Sequence, residues 1–122
     1  MGWIMAVPGK MEYTITEKGK YAIVAMSGPV NALHTPRLRT SLHDLMKKEF
    51  SVFIIDFAGV NYMDSSGIAT LVEAYQLAHE KGARLVLSSV HHEHVQHLFE
   101  ITRLNDLFDF YDSPEAAMET LK

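Results

Sequence analysis

The chain of 122 residues contains no cysteine, which excludes a disulfide scaffold, a thiolate metal site and a thiol nucleophile. It also lacks a surplus of basic residues, because 11 Lys and Arg stand against 15 Asp and Glu and the formal net charge is −4. Binding to nucleic-acid phosphates requires such a surplus. We therefore expect no nucleic-acid partner.

Long apolar runs are missing as well. No stretch approaches the ~20 apolar residues that a membrane helix needs. Residues 1–10 begin with a few apolar residues, but they have no basic flank before them and meet Pro8-Gly9 at once, which is atypical of a signal peptide. We expect a cytoplasmic protein without membrane insertion. Residues 1–10 are predicted to be an N-terminal appendage to one domain over residues 11–122, and whether Trp3 docks on that domain or on a partner is left open.

The composition present is that of one globular domain, with 48% hydrophobic and 21% charged residues. Period-two alternation on both sides of Gly19 predicts a hairpin whose second strand ends at Ser27-Gly28-Pro29, since proline cannot donate to a ladder. Apolar positions at three- and four-residue steps predict helices. Strands are predicted over residues 51–57, 84–88 and 107–111, and helices begin near Thr35 as N-cap, Ser65 and Ser113, the second helix ending before Gly82. A further helix is predicted after the strand at residues 84–88 from apolar positions that resume at Val90, Val95, Leu98 and Phe99.

Strands and helices alternate in this order after the hairpin. Such alternation requires crossover connections and therefore a mostly parallel sheet covered by helices, with an antiparallel start from the hairpin. We expect a single α/β domain with a mixed, mostly parallel sheet of four to five strands and about four α-helices.

The most informative stretch is residues 61–67, Asn-Tyr-Met-Asp-Ser-Ser-Gly, which joins a buried strand to an amphipathic helix. Asp64 or Ser65 is suited to be the N-cap of that helix. The junction is either purely structural or functional. In the functional interpretation, an exposed serine lies at the positive helix end, where free N–H groups would meet an added phosphate.

A serine hydrolase is a sharper alternative for the same serine. The nucleophile elbow needs glycine two residues before and after the serine. Gly67 follows Ser65 at that spacing, but Met63 stands in the first position and no triad histidine is assignable. Glycine-rich phosphate loops are also absent from the sequence. We therefore expect a protein that is not an enzyme and has no cofactor.

Histidines cluster at residues 91–97, but Gln96 breaks the His-Glu-x-x-His pattern of a zinc helix. A solvated helix face is favoured over adventitious zinc or nickel binding, with a pH-sensitive surface as a further alternative. Met63 is interpreted as a core residue or as part of an exposed contact patch, with the core favoured.

Residues 62–67, followed by the helix from Ile68 to Tyr75, resemble the phosphorylation segment of STAS domains, especially of bacterial anti-sigma factor antagonists. Residues 95–104 and 113–117 are similar to that family's C-terminal pattern, and the resemblance covers residues 11–121. It implies an unmodified form that binds an anti-sigma factor, itself a serine kinase of the histidine-kinase ATPase fold. Phosphorylation would break that complex, and a serine phosphatase would restore it.

By the same resemblance, Ser65 is the phosphorylated residue and Ser66 a capping or supporting hydroxyl. The partner-binding residues it implies are Asn31, Tyr62, Met63, Asp64, Ser66 and Gly67. The chain departs from the family twice: Gly28-Pro29-Val30-Asn31 replaces Gly-x-Leu-Asp, and Thr102-Arg103 replaces Thr-Gly. The alternative within this fold is an unphosphorylated interaction or ligand-sensing subunit of a stressosome-like or lipid-transport complex.

Overall fold

A five-stranded mixed sheet forms the centre of the structure, a computed structural model that describes residues 10–122. β1 is antiparallel to β2, whereas β2 to β5 are all parallel to one another. The predicted mixed, mostly parallel sheet is confirmed. In their order across the sheet, the strands are β1 (Glu12–Lys18), β2 (Tyr21–Val30), β3 (Val52–Met63), β4 (Arg84–Ser88) and β5 (Phe110–Tyr111).

Four α-helices accompany the sheet within the described residues, which confirms the predicted α/β class. A short 3₁₀ turn follows the third helix at Leu104–Asp106. No helix among residues 10–122 is long and apolar enough to cross a membrane. The helices are α1 (Thr35–Met46), α2 (Ser65–Glu80), α3 (Glu93–Ile101) and α4 (Pro114–Thr120).

The two faces of the sheet carry separate cores, because successive side chains of a strand point to opposite sides. The larger core lies against α1, α2 and α3 and includes Phe53, Leu71 and Phe99. The smaller core lies against α4, where Ala117 packs with Ile54 and other residues of the central strands. The residue run from 52 to 57 is thus buried on both faces, as its apolar sequence predicts.

Two predicted element ends are wrong. Thr35 is not the N-cap of α1: His34 occupies that position without a side-chain bond, and the carbonyl of Asn31 accepts the amides of His34 and Thr35. β2 does not end at Ser27-Gly28-Pro29 but continues to Val30. Pro29 is tolerated because the pairing of β2 with β1 ends at Ser27, and because a register shift against β3 separates Gly28 from Pro29.

Other predicted ends are confirmed. The Ser113 hydroxyl accepts the amide of Ala116 at 3.0 Å and caps α4. Gly82 has the left-handed φ of 78° that terminates α2. Trp3 and the rest of residues 1–9 lie outside the described residues, so the division into an appendage and a domain stays a prediction.

Candidate functional site

β3 runs directly into α2, with Asp64 as the single residue between them. The predicted strand end at residue 57 is wrong, because residues 58–63 continue the strand and pair with β2 as far as Val30↔Met63. The amide of Asp64 also donates to the carbonyl of Val30 at 3.2 Å. The serine pair is therefore held by the centre of the sheet rather than by a loop.

Asp64 is the N-cap of α2, which decides between the two predicted candidates. Its Oδ1 accepts the amide of Ser66 at 2.9 Å and that of Gly67 at 3.3 Å. Its Oδ2 accepts the amide of Ala32 at 3.3 Å, which connects the helix start to the loop after β2. One carboxylate thus fixes two segments of the site.

The carboxylate of Asp64 is ionised more readily than usual. Partial burial alone would raise its pKa, but the hydrogen bonds from the Ser66 hydroxyl and from the amides of Gly67, Ser66 and Ala32 together lower it. The site therefore carries a fixed negative charge at neutral pH, beside the positive end of the α2 dipole.

The two serines have different environments although they are adjacent. The Ser66 hydroxyl is partly buried and donates to Asp64 Oδ1 at 2.6 Å. The Ser65 side chain is exposed and makes no hydrogen bond within the described part of the chain. Ser66 is thus a supporting residue that orients the cap but does not itself cap the helix, whereas the Ser65 hydroxyl is available to another molecule.

Among residues 10–122, the Ser65 hydroxyl forms no hydrogen bond with a histidine or another base, whereas the neighbouring Ser66 hydroxyl bonds to Asp64. Activation of a serine nucleophile requires such a neighbour. This geometry does not match the serine-hydrolase alternative.

Met63 lies beneath the serines in the larger core, with 1% of its surface exposed. Its interpretation as a core residue is confirmed, and its place among the partner-binding residues stays a prediction. A Cβ added to Gly67 would lie 2.6 Å from Met63 Cγ and 3.0 Å from Val30 Cγ1. Gly67 therefore allows the first turn of α2 to pack closely on the ends of β2 and β3.

Asn31 builds the loop between β2 and α1. Its Oδ1 accepts the amide of Leu33 at 3.1 Å, while its carbonyl accepts the first amides of α1. An aspartate could accept the same bonds and would add a charge. The Asn31 side chain thus helps to shape the loop.

A depression of about 580 Å³ lies beside Asp64, between this loop and the end of β3. We call it the apolar groove, because proline, alanine, leucine and tyrosine side chains supply most of its lining. Leu33 is 85% exposed and Tyr62 43% exposed, so both present apolar surface to solvent. The lining residues are Pro29, Asn31, Ala32, Leu33, Asn61, Tyr62 and Asp64.

Ala32 and Leu33 also line this groove, although the sequence did not predict them as site residues. The available signal was that Leu33 is a large apolar residue outside the stripe of α1, which is formed by Leu38, Leu42 and Leu45. A surface position for such a residue between two elements is a hint of contact with another segment.

The histidine cluster is spread around the start of α3. His92 is the N-cap, and its Nδ1 accepts the amide of His94. The His94 ring stacks on Tyr62 with 5.0 Å between centroids and an angle of 8°. Residues 10–122 contain no group of three or more histidine, aspartate or glutamate side chains placed to hold a metal ion.

Comparison with known proteins identifies relatives of this arrangement. The STAS domain family matches residues 12–117. The chain is similar to the anti-sigma-B factor antagonist of Listeria monocytogenes, with 31% identity over 70% of this chain and 75% of the relative. It is also similar to the anti-sigma-B factor antagonist of Bacillus subtilis, with 28% identity over 79% of this chain and 86% of the relative.

Solved structures share the fold at lower identity. The unphosphorylated form of the anti-sigma factor antagonist SpoIIAA superimposes with a TM-score of 0.79 at 14% identity, over 90% of this chain and 96% of that one. The phosphorylated form of this Bacillus protein gives 0.73 at 13% identity, over 91% and 100%. The family match spans the whole sheet and most of α4, and the chain therefore belongs to the STAS domain family.

Proposed function

We propose that this protein is an anti-sigma factor antagonist that binds an anti-sigma factor with serine kinase activity, and that phosphorylation of Ser65 ends the complex. The observation that carries this proposal is the exposed Ser65 hydroxyl, which has no hydrogen bond within the described residues and follows the ionised Asp64 directly. The names of the Listeria and Bacillus relatives support the class of partner.

The switch would work by adding charge to a surface that already carries a carboxylate. The kinase transfers the γ-phosphoryl group of its own ATP to the Ser65 oxygen, which adds roughly −1.5 to −2 charge at neutral pH. Asp64 already accepts the amides of Ser66 and Gly67. Since those N–H groups are taken, they would not neutralise the phosphate, and the added charge would face the partner.

The partner surface in this proposal combines the serine with the apolar groove beside it. Tyr62, Asn31 and Asp64 line the groove, and they contribute apolar area, an amide and a charge. Ser66 orients Asp64, while Gly67 and the buried Met63 support the surface from below. A serine phosphatase would be the further partner that restores the binding form.

Phosphate mapping tests the modified residue. The purified protein is incubated with ATP and its candidate kinase, and the phosphorylated peptide is identified by mass spectrometry. We expect one phosphate on Ser65 and none on Ser66. Ser65→Ala should abolish incorporation and Ser66→Ala should retain it, whereas equal incorporation into Ser65→Ala would contradict the assignment.

Titration calorimetry tests the effect on the complex. We expect Ser65→Asp to weaken binding of the anti-sigma factor, and Ser65→Ala to preserve it, since alanine removes the modified group without adding charge. Unchanged binding of Ser65→Asp would count against a charge switch.

Asn31 motivates one further variant, because it supplies an amide where the family commonly has an acid. Asn31→Asp can keep the bond to the amide of Leu33 while adding a charge beside the groove. A gain in kinase affinity is expected if the partner carries a basic contact there.

Absence of phosphorylation with every kinase tested, together with stable binding to another component, would instead favour the unphosphorylated interaction or ligand-sensing subunit. The cytoplasmic location stays a prediction.

A further inference from the structure

We propose that the apolar groove is a docking site for the chain's own N-terminal segment, residues 1–9, with Trp3 as its anchor. The groove has a volume of about 580 Å³ and an apolar lining that includes the 85% exposed Leu33. No other segment of the described residues fills it. The docking itself does not depend on the proposed function.

The pairing of β1 with β2 places Lys10, to which the N-terminal segment is joined, close to this groove. β1 and β2 are antiparallel and pair as Glu12↔Ser27, so each step back along β1 faces one step forward along β2. Met11 and Lys10 accordingly lie against Gly28, where the Met11 Cα is 3.2 Å from the position of an added Cβ. Pro29 lines the groove and is the next residue of β2. Lys10, the first described residue, therefore lies next to the residue of β2 that precedes the groove's edge.

The start of the described chain, next to Lys10, is itself fixed to α1. The guanidinium of Arg37, in the first turn of α1, donates to the carbonyl of Met11 at 2.9 Å. Trp3 precedes Lys10 by seven residues, which span about 23 Å when extended at roughly 3.3 Å per residue. The length of the segment is thus sufficient, and Pro8-Gly9 supplies residues suited to a bend over the end of the sheet.

The chemistry of the segment complements the groove. Trp3, Ile4, Met5 and Val7 are apolar, and a tryptophan side chain carries the large amphipathic surface that fills such grooves. Residues 1–10 contain no aspartate or glutamate, so nothing in them repels the ionised Asp64. Covalent connection also gives the segment a high effective concentration at the groove.

Fluorescence tests the docking directly, because Trp3 is the single tryptophan of the chain. Acrylamide quenching is measured on the full chain and on a free peptide of residues 1–10. We expect blue-shifted emission and slower quenching in the full chain. Leu33→Asp places a charge in the groove and should return both properties to those of the peptide.

Ile101→Asp is the matched control, since Ile101 is also an exposed apolar residue, at 63%, but does not line the groove. It should leave the emission and quenching unchanged, and circular dichroism should show the same fold for both variants. The proposal is overturned if Trp3 in the full chain is quenched as fast as in the peptide, or if Leu33→Asp has no effect. If the protection of Trp3 from quenching disappears on dilution, a second copy of the chain is the source of the docked segment, and the proposal is overturned too.

One consequence rests on the proposed function, because the segment would then cover part of the partner surface. If the groove is filled in nine of ten molecules, removal of residues 1–9 should tighten partner binding about tenfold. Slow quenching of Trp3 combined with unchanged partner affinity would contradict the partner surface while leaving the docking intact.

Discussion

The Ser66 hydroxyl donates to the same oxygen of Asp64 that accepts the Ser66 amide, at 2.6 Å and 2.9 Å. Ser66 thus holds the residue that caps α2. We predict that Ser66→Ala lowers the free energy of unfolding by about 1 kcal/mol, which is typical of one lost intramolecular hydrogen bond. Urea denaturation followed by circular dichroism measures the change.

Ser65→Ala is the matched control for this comparison. Since its hydroxyl has no hydrogen bond within the described residues, the substitution should change stability by less than about 0.5 kcal/mol. Equal losses for the two serines would contradict the division of roles between them.

Gly67→Ala should destabilise the protein by about 1–2 kcal/mol, although alanine usually favours a helix over glycine. The added Cβ would lie 2.6 Å from Met63 Cγ and 3.0 Å from its Sδ. A double-mutant cycle with Met63→Ala isolates this contact. The cost of Gly67→Ala should shrink in the Met63→Ala background, and an unchanged cost would show that the strain arises elsewhere.

Arg103 adopts a left-handed backbone with φ 61° and ψ 24°, directly after the C-cap of α3. The family's frequent glycine at this position would adopt it without steric cost. We therefore predict that Arg103→Gly stabilises the protein by about 0.5–1 kcal/mol. Thermal unfolding measures it, and Thr102→Gly, at a right-handed φ of −91°, should instead be destabilising.

Glu73 of α2 is held by two side chains of α1. Arg39 donates to both of its carboxylate oxygens, at 2.6 Å and 3.0 Å, and His43 Nε2 lies 2.9 Å from Oε1. The bonds from Arg39 and then His43 lower the pKa of Glu73 to about 2. We predict that Glu73→Gln costs about 1 kcal/mol at pH 7, a value reduced from the full shift because the side chain is partly exposed and screened.

The pH dependence of this loss follows from the direction of the shift. Because the pKa is lowered in the folded state, the contribution of Glu73 is fully present above its ordinary pKa of 4.5 and is lost as the pH falls toward about 2. Denaturation of the native protein and Glu73→Gln should therefore converge at low pH. Glu80→Gln, which removes a carboxylate that forms no ion pair among the described residues, should change the free energy of unfolding at pH 7 by less than about 0.5 kcal/mol.

The first half of β3 was predictable because its apolar residues are buried on both faces. The second half was not, since Gly59 and Asn61 resemble turn residues. A Cβ at Gly59 would lie 2.6 Å from Ser27 Cβ, so this glycine serves the close approach of two strands. Pairing with β2 overrides the local preference, and a tertiary contact of that kind leaves no local signal in the sequence.

The part of the candidate site that is built from consecutive residues was predictable from the sequence. Capping requires only Asp64 and its next three residues, so the junction could be recognised from their order. The groove forms where the loop from Asn31 to His34 meets Tyr62 of β3, and these two segments are distant in sequence. The contact of Tyr62 with His94 does not follow from periodicity.

The direct passage from β3 into α2 limits how the protein could answer a modification. Asp64 is hydrogen-bonded on one side to Val30 and Ala32 and on the other to the first turn of α2. No loop lies between β3 and α2, so a group added to Ser65 has little flexible backbone to displace. In the proposed switch, a phosphate on Ser65 would therefore act through its charge rather than through a change in the shape of the junction.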